Sequence, residues 1–337
     1  MGIRSQVAHA AGHLISLLIA AFTLLVMLPS CTPEPPAPQY NLNIGYIATQ
    51  SCLPYLVIKE KGLDKKYGFV LSGTDYPSGE AINSDIVAGK LDAGITGTIS
   101  VLNAAETGLV PDKIIVAAAS NFVDSDHPYM GMLASKSING WQDLKGKQVA
   151  TNAFYSHVTA AIKGRLQIEG VPDYKLVIMS IPNMGLAVAD ETIDAAALVE
   201  PYLTQSLLRG DGKLLGWIAG GPPFEKMEVT MLIFNSGYYR SNTQAVKAFL
   251  RAYLDAMEWI NKEPGEARLM IGHKLKLSEE VTQKIQIMAF PPDGHNDPSI
   301  LESMQQVMVD TGMLKEVIPS ASLYDETLLN EILAERR

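Results

Sequence analysis

The sequence predicts an α/β protein of two lobes, each a mainly parallel sheet flanked by helices, joined by a two-strand hinge. Three observations carry this. From Tyr40 onward, short apolar runs alternate with helix-like stretches, the pattern of layered α/β architecture. The plan then repeats: "IVAGKLDAGITG" (86–97) and "VADETIDAAALV" (188–199) each end a helix, turn at an Asp (Asp92, Asp194) and enter a strand of small residues. Finally, "YMGMLAS" (129–135) leads into the second unit and "VTMLIFNS" (229–236) leads out of it. A lobe inserted between two crossing segments makes a clamshell. The expected division is lobe 1 from 41–130 and 235–337, with lobe 2 from 131–234.

Before the folded part comes a leader. Arg4 precedes an apolar run from Leu14 to Leu28, 15 residues, too short to span a bilayer and suited to a secretory signal. Pro29 breaks it and Ser30 stands before Cys31. Residues 1–30 are therefore expected to be a signal peptide, with Cys31 at the cleavage point. "TPEPPAPQ" (32–39) holds four prolines in eight residues. Such a stretch favours an extended helix of about 3.1 Å per residue, so residues 32–39 span roughly 25 Å within a tether over residues 31–40. The net charge of −9 argues against nucleic acid and against a polybasic membrane surface. Cys31 and Cys52 are the only cysteines, so no disulfide framework is expected.

Each element follows from local pattern. "NLNIGYIA" (41–48) is a β-run, and Ser51 is placed to cap a helix through Leu53, Leu56 and Val57, with Pro54 in its first turn. "GFVLSG" (68–73) is the second strand; a helix, a tight turn and a third strand follow; "KIIVAAAS" (113–120) is the fourth. In the second unit, "QVATNAF" (148–154) is a strand, and Ser156 caps a helix whose Val158, Ile162 and Leu166 share a face. "KLVIMS" (175–180) is the next strand. From Thr243, apolar Val246, Phe249, Leu250, Tyr253, Met257 and Ile260 recur at helical spacing until Pro264.

Such sheets bind small molecules beyond the carboxyl ends of their strands, where helices begin. Helices at Ser51 and Ser156 would offer free N–H groups and partial positive charge to one gap, although serine is also a common plain cap. Cys52, Tyr155 and His157 stand beside these serines; Thr98, Ile99 and Ser100 open the helix after the third strand; Glu200 and Tyr202 follow the matching strand of the second lobe. Gln50, Asn121, Asn152 and Asn235 are further polar neighbours. The strand-end loops contain no Lys or Arg, several aromatics and several acids, among them Glu80 and Glu200. That composition suits a flat heterocycle stacked on a ring and read at its N–H edge, while helix N-termini alone can also hold an anion. No catalytic residue, cofactor or metal is expected: there is no nucleophile elbow or phosphate loop, and His127, His157, His273 and His295 lack ligand spacing.

The stretches "GYIATQSCLPYLVIKEKGLDKKYG", "AGKLDAGITGTISVLNAAETG", "WQDLKGKQVAT" and "TIDAAALVEPY" resemble the type II periplasmic solute-binding proteins, within the branch serving nitrate, taurine, alkanesulfonates and thiamine-type pyrimidines. The resemblance covers about residues 41–262, and Leu28-Pro29-Ser30-Cys31 resembles the lipobox of bacterial lipoproteins. It implies a receptor held by a lipid on Cys31, at the outer face of the cytoplasmic membrane or the periplasmic face of an outer membrane, delivering a small solute to permease and ATPase subunits. A heteroaromatic vitamin or precursor, riboflavin or a pyrimidine, is the expected solute; nitrate, taurine or an alkanesulfonate is the alternative. An enzyme of the same fold or a ligand-sensing domain is the alternative of another class. The pyrimidine-synthesising relatives of this fold carry a cysteine cluster that this sequence lacks.

Overall fold

A computed structural model describes residues 39–336, within one compact unit. The leader, Cys31 and nearly all of the tether lie outside the described residues. Among those described, no helix is long and apolar enough to cross a membrane.

Two five-stranded sheets organise the chain. The first contains β1 (Tyr40–Tyr46), β2 (Phe69–Asp75), β3 (Ala93–Gly97), β4 (Ile114–Val123) and β10 (Met227–Asn235), in the order β2-β1-β3-β10-β4. The second contains β5 (Met130–Ala134), β6 (Gln148–Thr151), β7 (Lys175–Ile178), β8 (Ala195–Val199) and β9 (Lys213–Ala219), in the order β7-β6-β8-β5-β9. In each sheet three neighbouring strands are parallel, and a strand from the other end of the unit enters antiparallel. Four of the five strands in each sheet therefore run the same way, the mainly parallel arrangement expected, and only the inserted strand, β10 or β5, opposes them. The reason is the insertion: a strand that arrives across a hinge runs opposite to the strands around it.

The internal repeat is exact in its hydrogen bonds. Asp92 Oδ2 accepts the Asn43 N–H at 2.8 Å, and Asp194 Oδ2 accepts the Gln148 N–H at 2.9 Å. The Asp92 carbonyl accepts from Asn235 N, and the Asp194 carbonyl accepts from Ser135 N, both at 2.9 Å. Each Asp therefore ties a neighbouring parallel strand to the end of the inserted one.

β10 pairs along its length with β3 and β4, so residues 227–234 belong to the first sheet. The return crossing expected at 234/235 falls earlier, at 220–226, and the outward crossing runs through 124–129. β4 and β10 are buried almost throughout, as strands covered on both faces must be. The helix Thr243–Lys262 packs its predicted apolar stripe over the first sheet; Phe249 meets Phe69 and Phe234 edge-on, each at 5.9 Å between centroids. It stops at Lys262, and Pro264 opens the next helix, where its missing N–H is harmless.

Candidate functional site

The carboxyl ends of β1–β3 and β6–β8 point toward one cavity of about 290 Å³. From the first lobe it takes Ile47, Thr49 and Ser51 after β1, Pro77–Glu80 after β2, and Gly97, Ile99 and Ser100 after β3. Asn152, Tyr155–Val158, Ile181 and Val199 answer from the second, and Tyr129 on the outward crossing closes the floor. Four helices begin at this space: Gly79–Val87, Thr98–Glu106, His157–Ile168 and Ile181–Ala189. Their first N–H groups and partial positive charge converge there.

Of the residues expected here, Ser51, Ile99, Ser100, Tyr155, Ser156 and His157 line the cavity. Ser51 does so without capping: Thr49 Oγ1 accepts the Ser51 N–H, and a short 3₁₀ turn, Gln50–Cys52, precedes the helix Leu53–Glu60. Ser156 is a cap in fact, its Oγ accepting from Thr159 N at 3.2 Å and donating to Asn152 Oδ1 at 2.9 Å. Tyr155 is 64% exposed at the mouth. His157 is half-buried, and desolvation, partly opposed by the Glu80 charge, pushes its imidazole down to about 4. It is a neutral ring near pH 7.

Four expected residues lie elsewhere. Cys52 is fully buried behind the wall, its thiol pushed up to about 12 by burial. Thr98 faces the core, and its buried hydroxyl has no partner among the described residues. Glu200 points away from the cavity because its own helix claims it: Thr204 Oγ1 donates to Oε1 at 2.8 Å and Thr204 N to Oε2 at 3.3 Å. Burial still raises its carboxyl to about 7. Tyr202, in the first turn of that helix, packs against the core. Among the further neighbours only Asn152 reaches the cavity. Gln50 bridges to Gln286 and Met288, Asn121 donates to Thr230 Oγ1, and Asn235 caps a helix at the far end of the sheet.

Sequence reasoning passed over Thr49, Ser78, Gly79, Ile95, Tyr129, Val199 and Thr230. Ser78 was the most accessible of these: "YPSGE" places a cap directly before a helix, and Ser78 Oγ accepts from Ala81 N at 3.3 Å. Tyr129 is buried, and desolvation, then the Glu200 carboxylate behind it, hold its phenol well above the usual range. Glu80 is the sole carboxylate among the lining residues, which include no Lys or Arg. Its Oε1 accepts the Ser100 hydroxyl at 2.9 Å.

A fold of two repeated mixed sheets, with strand-end loops from both meeting at one cavity, is that of the periplasmic binding proteins. The chain belongs to the NMT1-like family, whose model matches residues 35–272. It is 22% identical over 259 residues, 74% of each chain, to a protein of Brachyspira hyodysenteriae named as an ABC transporter periplasmic binding protein. Among solved structures, the periplasmic aliphatic sulphonate binding protein SsuA of Escherichia coli superposes with a TM-score of 0.68 at 18% identity, covering 87% of this chain and 92% of that one. The desulfurization enzyme DszB shares the fold with a TM-score of 0.65 at 15% identity, over 88% and 99%.

Proposed function

We propose that this protein is the solute-binding component of an ABC-type importer, closing its lobes on a small molecule outside the cytoplasm and presenting it to permease and ATPase subunits. The observation that carries this is the make-up of the cavity. Both lobes contribute matching strand-end loops, so a bound solute touches both and favours the closed arrangement. The NMT1-like family and the relative from Brachyspira support the same role. A receptor fits better than an enzyme because the candidate nucleophiles are committed: Cys52 is walled off and kept protonated, and the Ser156 hydroxyl serves Asn152 and the helix start.

The solute favoured by the lining is a single-ring nitrogen heterocycle of pyrimidine type. Tyr129 and Tyr155 offer ring faces, Asn152 and neutral His157 offer polar edges, and Glu80 accepts N–H groups. A volume of about 290 Å³ lies at the small end of ligand pockets and favours one ring over a flavin. A second reading, a short alkanesulfonate, draws on the four helix N-termini and on the apolar walls of Ile47, Ile95, Ile99, Val158 and Ile181, and on the sulphonate-binding protein of the same fold. A thermal-shift panel of pyrimidines, riboflavin, taurine, alkanesulfonates and nitrate tests both. Ligand at about 100 times its Kd adds roughly 2.7 kcal/mol of stability. A shift with pyrimidine supports the first reading, a shift only with sulfonates the second, and none with any of them refutes both.

Attachment through a lipid on Cys31 belongs to the same proposal. Intact-mass measurement of the membrane-extracted protein is expected to show a chain beginning at lipidated Cys31, and Cys31→Ala to release the protein from the membrane.

A further inference from the structure

A second, more open groove of about 380 Å³ lies beside the solute cavity, between the helices Gly79–Val87 and Thr98–Glu106. The two spaces share Glu80 and Ser100, so the Glu80–Ser100 hydrogen bond forms a sill between them. On the groove side stands Asn83, only 6% exposed. Its Nδ2 donates to the Ser100 carbonyl at 2.9 Å, and a carbonyl can only accept, which fixes the amide orientation. Asn83 Oδ1 is therefore the free end, and it has no hydrogen-bond partner among the described residues. That oxygen is closed off from the solute cavity, so the part Asn83 plays is to hold the Ser100 backbone, and with it the sill, in place.

Glu80, which lines the cavity itself, has an acceptor to spare. Oε1 takes the Ser100 hydroxyl, while Oε2 has no hydrogen bond among the described residues. Close packing holds the arrangement in place: a Cβ on Gly79 would stand 2.4 Å from Ser100 Oγ and 2.6 Å from Thr96 Oγ1. No Lys or Arg lines either space to satisfy these acceptors.

We infer that Glu80, positioned by Ser100, forms a subsite for a cationic or N–H-rich group of the solute, an ammonium or an amino-substituted heterocycle edge. This rests on the solute-receptor reading and deepens it. The solute lies in the cavity, and its amino group reaches the sill, where the Glu80 carboxylate repels an anionic group. Glu80 is the specificity-determining residue, and Ser100 positions it.

The test uses matched pairs that differ in the amino group, titrated calorimetrically against the full chain: taurine with ethanesulfonate, and 4-aminopyrimidine with 4-methylpyrimidine. Whichever class the cavity takes, the amine-bearing member is expected to bind at least about tenfold more tightly. Glu80→Gln, a change at an exposed side chain, should bring that ratio to within about twofold while leaving the melting temperature of the free protein unchanged. Equal binding of the two members of a pair, or a preference that survives Glu80→Gln, overturns the subsite and leaves the receptor reading standing. No binding by any of the four probes overturns both.

Discussion

Glu228 sits on β10, wholly buried, where one carboxyl oxygen takes the Tyr324 hydroxyl and Oε2 has no partner among the described residues. Desolvation lifts its carboxyl from the ordinary 4.5 to about 8; Glu326 and Asp297 push the same way, and the Tyr324 bond opposes them. The folded protein therefore holds this proton more tightly than the unfolded chain does. Stability is fully present below about pH 4.5 and falls as pH rises toward 8, because in that window the folded state binds more protons. At about 1.4 kcal/mol for each tenfold in proton affinity, the whole effect is on the order of 5 kcal/mol, of which about 3 falls between pH 5 and pH 8. Glu228→Gln keeps the shape and an acceptor for Tyr324 but cannot ionise. Its new amide N–H groups are buried, at a cost of about 1–3 kcal/mol at every pH. The variant is thus expected to be less stable than the parent at about pH 5 and more stable at about pH 8. Urea denaturation at both pH values reads this directly. If parent and variant lose stability equally between the two, to within about 1 kcal/mol, Glu228 is ionised in the fold and the argument from burial fails.

Other consequences are open to measurement. Gly79→Ala forces a Cβ onto Ser100 and Thr96, so a loss of about 1–3 kcal/mol is expected together with weaker solute binding, and a neutral variant would show that the helix start can yield. Asp92→Ala strands a part-buried backbone N–H of β1 and should cost about 1–3 kcal/mol, whereas Asp194→Ala frees an exposed one on β6 and should cost about 1 kcal/mol or less; urea denaturation of both variants checks the order, and a larger loss at Asp194 would refute it. His157, with a folded pKa near 4 against an ordinary 6.5, gives stability that is present above 6.5 and lost as pH falls through 4; a proton NMR midpoint near 6.5 would place the ring in water instead. The Cys52 thiol should resist a thiol reagent at about pH 8 in the native protein and react once unfolded.

The parts of this molecule that a reader of the sequence can find are those set by neighbours in the chain. Apolar spacing located the helix over the first sheet, and the paired Asp turns revealed the repeated plan, since each Asp acts on a backbone register close to its own strand. Ser156 and His157 were found because a cap announces a helix N-terminus. The failures come from choices that apolar spacing and capping do not display, some local and some long-range. Glu200 follows β8 as expected, yet Thr204, four residues on, turns its carboxylate away from the cavity. Of the aromatics in the strand-end loops, Tyr155 lines the space, whereas Tyr55, Tyr76, Phe122, Phe154, Tyr202 and Phe224 do not, and Tyr129, outside those loops, does. The antiparallel place of β10 between β3 and β4 depends on a pairing more than a hundred residues apart, which no local pattern records.

That pairing also bears on how the chain comes into being. Until Met227–Asn235 has emerged, β3 and β4 each lack a neighbour they will later share, and the first sheet stands split with two open edges. Such edges are templates for pairing with other chains. The second sheet is drawn wholly from residues 130–219, so it can close while the first still waits. The topology is therefore nested: the second sheet has all its strands before the strand that completes the first has been made.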